Sequence, residues 1–248
     1  MNSSYQQPGS PVISHFLLRQ LIGILGISLP FVLVLGAYFF DHCSLLQPSI
    51  SHYYFTVMHV IFVGTLCVLG GFLITYRGTS SFENRVSNFA GAFAFGVAIC
   101  PTDIDGFIGT GGSSCQFIQL TTNLPDNAMP WYNGKLHFGF AALLFVCFVI
   151  FCKKIFQEAD EGKAIDAKKK KRNKIYNWCG NVIIISIACI LIITITKAIT
   201  GKLLIPYYIY IFETTSLLPF GFSWLLKGSF NWPHSKYKVV RKIIQNFR

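Results

Sequence analysis

Six apolar runs, at residues 17–40, 51–76, 86–100, 137–152, 175–199 and 204–226, set the terms for this chain. About 20 apolar residues in an α-helix cross the ~30 Å hydrocarbon layer of a bilayer. Only 12% of the residues are charged and 52% are hydrophobic. A soluble domain carries roughly 25% charged residues, so this chain has too few for a surface that faces water on all sides. The predicted fold is therefore all-α: a polytopic membrane protein with six transmembrane helices in one bundle. Residues 1–16 read as a disordered cytoplasmic tail, 17–228 as the transmembrane domain and 229–248 as a basic cytoplasmic tail.

The formal net charge of +11 raises nucleic acid as a partner, and the placement of the charge excludes it. Of 21 Lys and Arg, 18 fall on the N-terminal side, the second and fourth loops and the C-terminal tail. Only Lys135, Lys197 and Lys202 fall on the alternate set. That asymmetry is the positive-inside pattern, which puts both termini in the cytoplasm. The loop at 153–174 holds nine basic and four acidic residues, including the run AKKKKRNK. In the C-terminal tail, Tyr237, Val239, Val240, Ile243, Ile244 and Phe247 share a helical face opposite Lys238, Arg241, Lys242 and Arg248. Loop and tail are both suited to anionic lipids of the inner leaflet. No basic region precedes a short apolar core with a small-residue cleavage site, so the first run reads as a signal anchor.

The second run is the most unusual of the six. Ser49, His52, Thr56 and His59 are spaced three, four and three apart, which on an α-helix is one face. Other polar side chains gather at the same predicted outer level: Asp41 and His42 after the first run, Asp103 and Asp105 after the third, His137 opening the fourth, Lys197 near the end of the fifth. Glu213 lies about 13 Å into the sixth. The inner halves of the runs hold almost nothing ionisable. Ionisable groups within a bilayer are costly and face a protein interior or a water-filled cavity. Ser49, His52, Tyr53, His59, Asp103, Asp105, His137 and Glu213 are accordingly the candidate lining of an outer-half polar pocket.

Three readings of this gathering compete. The residues are interfacial and structural, with Lys197 and Glu213 forming a buried ion pair; or they line a pocket for a ligand or ion; or His52, His137 and Glu213 hold a zinc ion at a hydrolytic centre. His52 and His59 are two turns apart on a helix, about 10.5 Å, too far for one ion. No HxxxH or HExxH motif is present. The third run carries small residues at intervals of four (Ala90, Ala94, Ala98 and Ala92, Gly96, Cys100), which suits close helix packing. Among eight cysteines, Cys43 and Cys115 fall in predicted outer loops, where an oxidising compartment permits a disulfide; two free thiols fit the sequence equally. GTGGSS at 109–114 lacks the GxxxxGK[ST] pattern of a phosphate loop.

Several phrases taken together, SISHYY and IFVG in the second run, NFAGAFAFGVAICPT in the third, LHFGFAALLF in the fourth and FETTSLLPFGFSWLLKG in the sixth, resemble a family of small bacterial multi-pass inner-membrane proteins without an established activity. Ser49, Ser51, Tyr53, Tyr54, His137, Phe138 and Glu213 match that pattern, while Met58 and His59 stand where it often has an Arg-Asp pair. The resemblance implies the fold and a bacterial inner-membrane location, and no reaction. The leading functional expectation is a small-molecule or lipid binding, sensing or transport role. The runner-up is a membrane-embedded, zinc-dependent hydrolase acting on a lipid or small molecule.

Overall fold

The computed structural model describes residues 15–41, 43, 46–103, 134–158, 167–203 and 205–229. Within them the chain is helical: α1 His15–Asp41, a 3-10 helix Ile50–Phe55, α2 His59–Thr75, α3 Ser81–Ile99, α4 Gly134–Lys153, a 3-10 turn Ile155–Gln157, α5 Ala167–Thr200 and α6 Tyr208–Ser229. Four of these helices (α1, α4, α5 and α6) are long and apolar enough to cross a membrane; α2 is apolar but shorter, at 17 residues. His42, Asp105, Cys115 and the amphipathic tail lie outside the described residues.

Each helix packs beside its neighbours in sequence, and α6 returns to α1, so the six form a closed ring in which α4 also touches α6. Small residues make the tightest crossings. A Cβ on Gly23 would stand 2.6 Å from the Gly221 carbonyl oxygen, and one on Gly221 would stand 2.6 Å from that of Gly23. Bare backbone contact of this kind is what holds helices together where no hydrophobic driving force acts between them. In α3 the Ala90, Ala94 and Ala98 stripe is buried as expected, whereas Ala92 is exposed.

Helix limits depart from the apolar runs for local reasons. The second run is not one helix: the chain breaks at Thr56–Met58 between the 3-10 helix and α2. α3 starts at Ser81, five residues earlier than expected, because the Ser80 hydroxyl accepts the Glu83 amide N–H at 3.1 Å. Ser80 and Glu83 have the spacing of a capping box. α5 starts eight residues early, at Ala167, since Lys and Arg are good helix formers with or without a bilayer around them. α6 starts four residues late, because Tyr207 takes a left-handed φ of 55°, which a right-handed helix cannot include.

The bundle has two distinct ends. At the terminal end α1 and α3 begin and α2, α4 and α6 stop. At the far end lie Asp41, the 3-10 helix, the last turn of α3 and the first turns of α4 and α6.

Candidate functional site

The far end is organised around the 3-10 helix, all six of whose side chains are buried. Hydroxyl groups explain why this stretch is not α-helical. The Ser49 hydroxyl accepts the His52 amide N–H at 3.2 Å. Thr56 donates its hydroxyl to the Tyr53 carbonyl at 2.8 Å and accepts the Met58 amide at 3.1 Å. Ser and Thr side chains that bond nearby backbone compete in this way with the helical ladder. Ser49, His52, Thr56 and His59 are therefore not a stripe on one helix, contrary to the expectation from spacing.

Two helices clamp this segment from outside. The Glu213 carboxylate of α6 accepts the Ile50 amide N–H at 2.7 Å, and the Tyr210 amide donates to the Pro48 carbonyl at 3.0 Å. From α4, His137 reaches two elements at once. Its Nδ1 lies 2.6 Å from the Cys100 carbonyl oxygen at the end of α3, and its Nε2 lies 2.8 Å from the Ser51 hydroxyl. A carbonyl can only accept, so Nδ1 carries the proton; in the neutral ring Nε2 then accepts from Ser51. The imidazole is almost wholly enclosed, at 1% exposure.

The remaining candidates are tied down one by one. Ser49 Oγ sits 2.6 Å from His52 Nδ1. The Tyr53 hydroxyl bonds the Gln47 backbone. His59 donates from Nδ1 to the Tyr54 carbonyl at 2.7 Å and meets the Tyr54 ring edge-on at 4.3 Å. Asp103 accepts the Gly134 amide at 3.0 Å and so caps the first turn of α4. Cys43 is disulfide-bonded, while Cys67, Cys100, Cys147, Cys152, Cys179 and Cys189 are free thiols.

Three expectations are corrected here. Lys197 and Glu213 do not pair: Lys197 is exposed, and the antiparallel contacts Thr194–Tyr208 and Ser186–Thr215 put Glu213 level with residues near 188 of α5. That is about 13 Å along the axis from Lys197. His52, His137 and Glu213 do not come together as a metal-ligand set, and among the described residues no three His, Cys, Asp or Glu side chains do. The polar side chains named above are engaged with backbone and with one another, whereas the groove beside them is apolar. It measures about 510 Å³ and runs between the second half of α1 and the start of α2, with Val32, Leu35, Phe39, Val57, Met58 and Ile61 in its walls.

The terminal end carries a buried charge cluster where almost nothing ionisable was expected. Arg19 of α1 donates from Nε and Nη2 to the Tyr76 hydroxyl at 2.9 and 2.6 Å. Tyr76 in turn donates to Glu83 Oε1 at 2.7 Å, and Glu83 Oε2 accepts the Thr79 amide at 2.9 Å. Arg19 is 9% exposed and Glu83 2%. The Trp224 ring lies 5.1 Å from that of Tyr76 and 5.0 Å from that of Phe151, and its Nε1 has no hydrogen-bond partner among the described residues. The signal in the sequence was the Ser80/Glu83 capping spacing, which places Glu83 inside a helix instead of in a solvated loop.

Comparison with protein-family models found no match, and comparisons with curated proteins and with solved structures found none either.

Proposed function

We propose that this chain is a six-crossing protein of a bacterial inner membrane, with both termini cytoplasmic, that binds a lipid through one acyl chain in a sensing or transport role. The apolar groove carries the reading. Its volume falls within the roughly 300–1,000 Å³ of ordinary ligand sites. It lies along the half of α1 that leads to the far end, with its other wall drawn from the break before α2 and that helix's first turn. A polar metabolite would leave its own hydrogen-bonding groups unmatched there; an acyl chain has none.

The disulfide at Cys43 supports an extracytoplasmic far end, since such bonds persist in oxidising compartments. The 18 basic residues on the other set of loops and tails support the same orientation and contact with anionic inner-leaflet lipids. The similarity of the SISHYY, LHFGF and FETTSLLPFGFSWLLKG blocks to bacterial multi-pass proteins fits the location. Metal-dependent hydrolysis has no ligand set in its favour among the described residues.

A phospholipid with a photoactivatable diazirine in its acyl chain, incorporated into membranes holding the full chain, tests this. Adducts are expected on Val32, Leu35, Phe39, Met58 or Ile61, and Leu35→Trp, which fills the groove, should reduce them severalfold. Adducts spread evenly over the exposed faces of α4 and α5, and unchanged by Leu35→Trp, would contradict it.

A further inference from the structure

We propose that Ser51 is a nucleophile activated by His137, able to take an acyl group from the ester of a membrane lipid. The inference goes beyond the groove reading and does not depend on it. It stands on the geometry of three atoms. The Cys100 carbonyl fixes the Nδ1–H tautomer of His137, which leaves the Nε2 lone pair facing the Ser51 hydroxyl at 2.8 Å. A base within 2.6–3.2 Å of a hydroxyl, itself oriented by a third group, is the arrangement that activates serine. The orienting group here is a backbone carbonyl instead of a carboxylate.

The neighbouring pair Ser49 and His52 makes the contrast. Ser49 Oγ accepts the His52 amide as a helix cap, so it is committed to structure. No such bond ties Ser51 among its described contacts; its hydroxyl goes to the imidazole. The position of Ser51 is nonetheless fixed, because the adjacent Ile50 amide is held by Glu213. Placement by a rigid frame is what brings a reacting group to a near-attack geometry. Of the pair, Ser51 is the more open, at 7% exposure against 1% for His137. Two residues past Cys100, Thr102 has a buried hydroxyl with no partner among the described residues. Buried hydroxyls are normally satisfied, and an unsatisfied donor is what a developing oxyanion requires.

Depth indicates the substrate class. His137 is the fourth residue of α4, about 5 Å from the helix start. With α4 crossing the bilayer as proposed above, a residue this close to the helix start falls at the boundary between hydrocarbon and headgroups, where the ester linkages of glycerolipids lie. In the proposed step Ser51 Oγ bonds to the ester carbonyl carbon as its proton passes to His137 Nε2. The carbon–oxygen bond to the alcohol then breaks, and the alcohol leaves with that proton. Water adds to the acyl carbon, giving a proton to Nε2; the Oγ–carbon bond breaks, Ser51 regains its proton and a carboxylic acid is released. The balance requires only water.

A fluorophosphonate probe on the full chain in its native membrane provides the test. Ser51 Oγ bonds to phosphorus, the phosphorus–fluorine bond breaks, and the proton leaves with fluoride. One adduct mapping to the Ser51 peptide of the unsubstituted protein is expected. Its rate of formation should fall about tenfold or more in His137→Gln. Ser51→Ala should give no adduct. No adduct on the unsubstituted protein while other serine hydrolases of the same membrane are labelled, an adduct on another residue, or a rate unchanged in His137→Gln would overturn the proposal. The diazirine-lipid result is read separately, so loss of one inference leaves the other standing.

Discussion

Arg19→Ala is expected to lower stability by about 3–5 kcal/mol, the cost of removing one member of a buried charge pair. The magnitude follows from the relay at the terminal end, where the Tyr76 hydroxyl stands between the guanidinium and the Glu83 carboxylate. Without Arg19 the phenol oxygen loses two donors, and the carboxylate stays buried without the guanidinium that faces it across Tyr76. Arg19→Lys should fall between the two, because an ammonium supplies charge without the forked donors of the guanidinium. The double variant Arg19→Ala, Glu83→Gln should cost less than the sum of the singles, since the uncompensated charge is gone. Denaturation of the protein in mixed micelles, followed by far-UV circular dichroism, gives these differences. Additive effects of the two substitutions would mean that the charges do not sense each other through Tyr76.

Trp224→Ala carries the second large effect, about 3 kcal/mol. Truncating a buried aromatic costs roughly 3–5 kcal/mol in soluble proteins. The low end applies here, because the displaced surface of a membrane helix faces lipid and only the packing part of the cost remains. Trp224 is fully enclosed and touches rings from four elements: Tyr76 after α2, Phe151 of α4, Phe156 of the 3-10 turn and Phe220 of α6. Trp224→Phe should be mild by comparison, since among the described residues Nε1 makes no hydrogen bond for the substitution to break. Equal losses for phenylalanine and alanine would indicate a partner for the indole N–H. The same micelle denaturation distinguishes the cases.

Much of the fold was legible because apolar length is a direct physical requirement of a bilayer crossing. The ends of α1 and α4 fall within three residues of the apolar runs. What sequence spacing misjudged was the stretch from Ser49 to His59. Residues three and four apart share a face only if the backbone is α-helical, and here the hydroxyls of Ser49 and Thr56 bond the backbone locally and produce a 3-10 helix with a break. The far-end polar residues were found by composition, but their use was not. Glu213, His137 and Asp103 reach backbone groups on other elements, and sequence carries no sign of which carbonyl or amide lies opposite a side chain. The Arg19–Tyr76–Glu83 relay was missed because Glu83 sits in a stretch that hydropathy reads as loop. Capping chemistry, not hydropathy, extends α3 back over it.

The orientation of the ring in the membrane underlies both the groove and the Ser51 proposals, since each places its chemistry at an extracytoplasmic end. Alkaline phosphatase, which is active only where its own disulfides form, reports that orientation when fused to successive truncations. Six crossings with both termini inside predict high activity for a fusion after residue 120 and none for fusions after residue 79 or residue 165. An inactive fusion at 120, or an active one at 79, would contradict the account.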